Sequence, residues 1–166
     1  MSIATITTDR LTLRAPQDTD APAITAILQD VEVARWLTNP PFPYTLADAA
    51  AFIAMDHGED VYVIEDADGA CGCISLRSEL GYYLARDRWG RGYMGEAAAA
   101  LVAKHFAQSD ADLSSGHFVG NARSRGVLVS LGFRDTAIDR HYCPARDETL
   151  DNQMMVLSRS TWEGRS

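Results

Sequence analysis

Leu80-Gly81-Tyr82-Tyr83-Leu84, then Arg86-Asp87-Arg88-Trp89-Gly90-Arg91-Gly92-Tyr93-Met94-Gly95, then an alanine-rich run to Gln108, is the stretch from which the rest of the chain is read. The first five residues are β-prone. From Tyr93 to about Gln108 the pattern is helical: Ala97 to Ala100 favour helix, and Met94, Ala98, Leu101, Val102, His105 and Phe106 share one face. A strand therefore feeds a basic glycine loop, and the loop feeds a helix N-terminus. Glycines let backbone approach a ligand closely and turn N–H groups toward it, while the helix start adds positive potential. The loop is a candidate pyrophosphate cradle, and Arg86, Arg88 and Arg91 strengthen that reading. A glycine turn with solvated arginines is the plain alternative. The loop lacks the Gly-Lys-Ser/Thr ending of nucleoside-triphosphate loops, and its glycines do not keep dinucleotide-binding spacing.

Upstream, Leu11-Thr12-Leu13 reads as a short strand closed by Pro16-Gln17-Asp18. A helix follows, capped by Asp18 or Asp20 and carrying Ile24, Ile27, Leu28 and Val31. Thr38 to Pro43 is a proline-stiffened loop, and Thr45 precedes a second helix containing Leu46, Ala50, Ile53 and Ala54. Val61-Tyr62-Val63-Ile64 and Cys71 to Leu76 form a hairpin about Asp66-Ala67-Asp68-Gly69, whose acids serve the turn and lack the closing Glu of a calcium loop. Downstream, Leu113 to Val119 predicts a strand, and Asn121 opens a short helix carrying Val127, Leu128 and Leu131 that ends at Gly132-Phe133. Runs near Ala137 to Cys143 and Met154 to Leu157 complete an α/β pattern without a repeat or linker.

Composition narrows the function. The chain has 166 residues, 46% of them apolar, and 15 basic against 23 acidic residues give a net charge of −8. That is one globular domain, residues 1–166, large enough to bury a core without metal or disulfide staples. The acidic balance argues against nucleic-acid binding, which rests on surplus Lys and Arg. No apolar run reaches the length of a membrane helix, and the stretch from Met1 to Ile6 lacks the basic flank and long apolar segment of a secretory signal, so a cytoplasmic location is expected. Cys71, Cys73 and Cys143 are odd in number and match no zinc or redox spacing, which makes them buried reduced thiols. No metal site is expected.

A second motif sharpens the first. Asn121-Ala122-Arg123-Ser124-Arg125-Gly126-Val127-Leu128-Val129-Ser130-Leu131-Gly132-Phe133, taken with Glu79 to Leu84 and the glycine loop, resembles the GNAT superfamily of acetyl-CoA-dependent N-acetyltransferases. The resemblance is strongest to the subgroup of the RimJ and RimL ribosomal-protein N-terminal acetyltransferases. It extends to Thr8-Asp9-Arg10-Leu11-Thr12-Leu13-Arg14 and to Trp36 through Ile53, so nearly the whole chain takes part. It implies a single α/β domain, with a mixed, mostly antiparallel sheet splayed between its fourth and fifth strands and flanked by about four helices. Acetyl-CoA would lie between the strand ending at Leu84 and the strand around Ser115 to Val119.

The resemblance also assigns roles. Backbone near Leu84 would pair with the pantetheine arm, and the amides of Arg91, Gly92, Tyr93, Met94 and Gly95, with Trp89 beside them, would hold the pyrophosphate. Asn121 would flank the pantetheine and Ser124 the thioester sulfur. Each also has a local reading, since Asn121 is an ordinary helix cap with Ser124 three residues on. Two departures stand out. Met94 occupies a position where the superfamily usually has a small residue, and Leu128 stands where many members carry a thiolate-reprotonating tyrosine, which makes Ser124 the substitute.

A neutral amine is required for attack, yet an α-amine titrates at about 7.7 to 8.0 and a lysine amine near about 10.4, so a proton acceptor is useful. Glu79, at the mouth of the cleft-lining strand, is the candidate; a solvated strand-end glutamate is the alternative. Glu96 in the first turn of the long helix answers the helix dipole, and His57 and His105 read as structural. The spacing of His117 and His141 singles out neither. The expected activity is acetyl transfer from acetyl-CoA to an amine-bearing acceptor, either a small molecule or a protein N-terminus, with the aromatic loop from Trp36 to Tyr44 lining its pocket. A non-catalytic acyl-CoA-binding sensor and a phosphate-cradling nucleotide enzyme are the alternatives. Neither the acceptor nor the oligomeric state follows from the sequence.

Overall fold

The computed structural model describes residues 3–77 and 79–165. Met1 and Ser2, which begin the segment weighed above as a leader, lie outside the described residues. Among the described residues, eight strands form two sheets. The larger contains, in order, β1 (Ile6–Thr7), β2 (Thr12–Arg14), β3 (Val61–Asp66), β4 (Gly69–Leu76) and β5 (Leu80–Leu84). The smaller places β8 (Glu148–Leu157) between β6 (Leu113–Phe118) and β7 (Arg134–Cys143). All named pairs are antiparallel. A parallel bridge, Glu79 to Ser114, joins the sheets where β5 and β6 begin to diverge. β1 adds a strand that its two residues are too short to announce, so the splay falls between β5 and β6. The other strands fall on the runs that the sequence reading singled out, with β7 and β8 starting earlier than expected.

Helix α1 (Ala21–Gln29) and helix α3 (Leu46–Ala54) cover one face of the larger sheet, burying Ile24, Leu28 and Ala49 with Val33 and Tyr44. On the other face α4 (Tyr93–Gln108) packs Ala97, Ala98, Leu101 and Val102 over Tyr62, Ile64 and Ile74. Helix α5 (Ala122–Leu131) adds Leu128 and Leu131 to the same core, and a short α6 (Arg159–Gly164) follows the last strand. The alanines of α4 let the helix approach the sheet closely, so the high helix propensity of that run also serves packing.

Val31 does not belong to α1. Asp30 adopts an extended conformation and caps a separate turn, α2 (Val31–Ala34), by accepting from the Glu32 amide at 3.0 Å. Asp20 stands at the head of α1 but makes no cap to that helix. Its carboxylate instead accepts from both terminal nitrogens of Arg14 at 2.9 and 2.8 Å and from the Gln17 amide at 2.8 Å. Thr45 caps α3 as expected, in a reciprocal capping box with Asp48.

Candidate functional site

The divergence of β5 from β6 opens one long cavity of about 880 Å³. Its walls follow from strand alternation. The Ala85 amide donates to the Cys71 carbonyl at 2.8 Å, so by antiparallel parity Gly81, Tyr83 and Ala85 direct their backbone groups to β4. Leu80, Tyr82 and Leu84 therefore direct theirs to the splayed edge. Two of those groups are already used. The Leu80 carbonyl accepts from Ser115 Oγ at 2.7 Å, which pins β6 to β5 at the closed end, and the Leu84 carbonyl accepts from Trp89 Nε1 at 2.9 Å. The Tyr82 amide and carbonyl and the Leu84 amide face the cavity.

At one end of this edge lies the glycine loop. Gly90 and Gly92 both adopt left-handed φ values, 77° and 78°, which only glycine holds without strain. The first intrahelical bond of α4 runs from the Glu96 amide to the Gly92 carbonyl at 3.1 Å. The four preceding amides, Gly92 through Gly95, are thus the four that a helix leaves without an intrahelical acceptor. A Cβ at Gly95 would meet nothing within 4 Å. Met94, the departure noted in the sequence, turns its side chain into the core, where it is 7% exposed, and leaves only backbone toward the cradle.

The arginines of the loop behave differently from one another. Arg88 is held by Asp66 at 2.7 Å, Asp87 at 2.8 Å and Asp68 at 3.6 Å, and Arg86 by Asp30 at 3.0 Å. These two are structural cations, and the sequence expectation that they add charge to the cradle is corrected accordingly. Asp66 also accepts from the Asp68 amide at 2.9 Å, so the hairpin acids both make the turn and anchor the loop. Arg91 is exposed. Among the described residues it has no carboxylate partner, and nor has Arg123, whose guanidinium lies 3.4 Å from the Trp89 ring centroid.

Helix α5 forms the opposite wall. Asn121 Oδ1 accepts from the Ser124 amide at 3.3 Å, a cap that does not use Nδ2, and the residue lines the cavity, so capping and ligand contact do not exclude each other. The Ser124 hydroxyl lies 2.8 Å from the Tyr82 hydroxyl, and this pair ties β5 to α5 across the cleft. Burial raises the Tyr82 phenol to about 12 against the opposing Ser124 bond, so it stays protonated near neutrality. Tyr82 was missed in the sequence. Its signal was there, since Tyr82 pairs with Ile74 on the core-facing parity and a tyrosine on such a face needs a partner for its hydroxyl.

The far end of the cavity holds Glu79, an exposed carboxylate beside the closed end of the splay. The cavity is also lined by Asp48, Ala51 and Phe52 of α3 and by Met55 just after it, spaced as one helical stripe, and by the loop from Trp36 to Pro41 with Tyr44. His117 and His141 also line the cavity. His117 Nδ1 donates to the Phe118 carbonyl at 3.0 Å, and its Nε2 lies 3.5 Å from Arg125, itself paired with Asp135. His57 and His105 are structural, bonded to the carbonyls of Phe52 at 2.6 Å and Ala111 at 2.8 Å. All three cysteines are buried, and burial lifts Cys71 to about 11 and Cys73 to about 12. Among the described residues no cluster of His, Cys, Asp or Glu could hold a metal ion, and no helix is long and apolar enough to cross a membrane.

Known proteins share this architecture. The uncharacterised N-acetyltransferase p20 of Bacillus licheniformis is 27% identical over 177 aligned positions, which cover 96% of this chain and 99% of that protein. A GNAT-family acetyltransferase from Bacillus anthracis superposes with a TM-score of 0.82 at 19% identity, covering 95% of this chain and 99% of the other. RimL, a ribosomal L7/L12 alpha-N-protein acetyltransferase solved in complex with coenzyme A, superposes with a TM-score of 0.79 at 17% identity, covering 93% and 98%. The family model for the acetyltransferase (GNAT) domain matches residues 10–134. That span runs from the turn before β2, through the glycine loop and the splay, to the end of α5, and on it the chain belongs to the GNAT acetyltransferase family.

Proposed function

We propose that this acetyltransferase moves the acetyl group of acetyl-CoA to a primary amine by direct attack within a ternary complex. The observation that carries this reading is the continuous backbone edge from the amides of Gly92 to Gly95, along Leu84 and Tyr82, to the carboxylate of Glu79. A pyrophosphate suits the amides of the cradle, and a pantetheine arm suits an unpaired strand edge. The open space at Gly90 and Gly95 gives the phosphates room. The coenzyme A held by RimL supports the same ligand class here.

Within this site Glu79 accepts the amine proton, directly or through water, and the amine nitrogen then attacks the thioester carbonyl. An N–H of β5 near Leu84 meets the charge developing on the carbonyl oxygen. As the C–S bond breaks, Ser124 hands a proton to the departing sulfur. When the Tyr82 hydroxyl donates to Ser124 Oγ, at 2.8 Å, rather than to the Ser124 carbonyl, at 3.3 Å, the serine keeps its own hydrogen free to donate. A free thiol titrates near about 8.5, so this proton helps without being indispensable. The raised thiols of Cys71 and Cys73 are poor nucleophiles and fit a mechanism with no acyl-enzyme. The acidic side chains that line the cavity, Glu79 just before β5 and Asp48 on α3, together with a net charge of −8 favour a cationic amine.

The test is a thermal-shift titration with acetyl-CoA, CoA and ATP, followed by thiol release across an amine panel. A ligand that binds only the native state adds about 2.7 kcal/mol at a hundred times its Kd. Both CoA species are expected to raise the midpoint and ATP to leave it unmoved, with amine-dependent thiol release following. A protein that ignores CoA overturns the reading; one that binds CoA but releases no thiol, with or without any amine of the panel, is an acyl-CoA sensor.

A further inference from the structure

We infer that Arg10 is a positioning residue for the pyrophosphate cradle, held in place by Glu96. The inference rests on the reading of the cleft as an acetyl-CoA site. Arg10 lies in the turn between β1 and β2, outside the cavity lining, yet its Nη1 donates to the Arg91 carbonyl at 2.7 Å across a separation of 81 residues. In a trans peptide the C=O of one residue and the N–H of the next point in opposite directions. A guanidinium that grips the Arg91 oxygen from outside therefore aims the Gly92 N–H away from itself, to the cavity side of the loop. The left-handed φ of Gly92 leaves its peptide plane free to rotate, so something must fix it. Arg10 does so, with its guanidinium 4.9 Å from the Tyr93 ring centroid as a second constraint on the same turn.

Glu96 explains why Arg10 stays there. A carboxylate in the first turn of α4 is a poor neighbour for a pyrophosphate, and the helix dipole alone is a weak reason for it. Its oxygens accept from Thr8 Oγ1 at 2.5 Å, from the Arg10 amide at 3.0 Å and from Arg10 Nε at 2.8 Å. Among the described residues, every hydrogen bond of that carboxylate goes to the β1–β2 turn. Glu96 thus ties the turn to the head of α4 and sets the angle at which the rest of the guanidinium reaches Arg91. The bidentate geometry needs arginine, since a lysine could reach one acceptor but not bridge both with a planar fork.

The experiment compares acetyl-CoA with acetyl-pantetheine, which carries the same thioester and lacks the pyrophosphate. In Arg10→Gln, KM for acetyl-CoA is expected to rise about tenfold, the effect of one misdirected hydrogen bond, while KM for acetyl-pantetheine holds. Arg10→Lys is expected to recover little of the loss. Glu96→Gln supplies a sign test: if the carboxylate anchors Arg10, acetyl-CoA binds more weakly, whereas if it merely repels phosphate, acetyl-CoA binds more tightly. Equal losses on both thioesters, no loss on either, or a tighter Glu96→Gln overturns the inference. Wild-type protein that ignores CoA overturns the parent reading instead, and is recognised before any variant is made.

Discussion

At the scale of single residues, the Arg14–Asp20 pair fixes where the first helix meets the sheet. Asp20 is 3% exposed, and its carboxylate touches both Arg14 and the Gln17 amide. Burial pushes its pKa up, but the Arg14 bond, the Gln17 amide and the Arg14 charge together hold it below the ordinary carboxylate range. A folded-state pKa depressed in this way contributes stability that is present above the unfolded value, about 3.9, and is lost as pH falls through the folded value. Replacing Asp20 by Asn leaves Arg14 with Glu65 alone, and the cost expected at pH 7 is about 3 kcal/mol, that of breaking a buried pair. The gap between wild type and Asp20→Asn, read by urea unfolding, should narrow below about pH 4. A gap of constant size at every pH would locate the loss in packing rather than in the charge pair. Such a pair was not legible in advance: Asp20 reads locally as a helix cap, and only the fold brings Arg14 against it.

At the scale of elements, what could be read from the sequence depended on how local the determinants were. The limits of α4, Tyr93 to Gln108, matched the reading because an alanine run and a preceding glycine are determinants carried by the helix itself. The break at Asp30 was not legible, since Ile24, Ile27, Leu28 and Val31 keep helical spacing straight through it, and the capping of a four-residue turn interrupts no pattern. Likewise Arg86 and Arg88 look like free cations until β3 and the cap between α1 and α2 bring Asp66 and Asp30 to them. Helix α5 shows the conflict between stability and site in one residue. Gly126 sits in the middle of a ten-residue helix, where glycine costs about 0.5 to 1 kcal/mol relative to alanine. A Cβ there would meet nothing within 4 Å, so packing within the chain does not demand glycine. The position lines the cavity on the same helical stripe as Arg123, Val127 and Ser130. Gly126→Ala is therefore expected to raise the unfolding free energy by about that amount and to weaken acetyl-CoA binding by calorimetry. A stabilised variant with unchanged affinity would place the ligand clear of this turn.

At the scale of the whole molecule, function lies in a sheet that fails to close. Two sheets that share one core under α4 are joined by the Glu79–Ser114 bridge and the Ser115 bond to Leu80, with the Tyr82–Ser124 hydroxyls tying β5 to α5, and beyond the bridge β5 keeps an edge that no strand covers. An uncovered edge invites pairing with whatever presents amides and carbonyls, and here α4, α5 and the smaller sheet restrict it to a guest in the cleft. The family resemblance carried by the glycine loop and the Asn121 motif implied this gap, but the parity of β5, which decides which amides are available, came only with the register against β4. That parity makes a pattern that residue-resolved hydrogen exchange can read. In the free protein the amides of Tyr83 and Ala85, committed to β4, should exchange slowly, while those of Tyr82 and Leu84 exchange faster. Saturating acetyl-CoA should slow Tyr82 and Leu84 selectively, because a pantetheine arm paired along the edge takes the place of the missing strand. Uniform slowing along β5 would mean that the ligand closes the two sheets as bodies, and slowing confined to Gly92 through Gly95 would mean that the phosphates bind while the arm lies away from the strand.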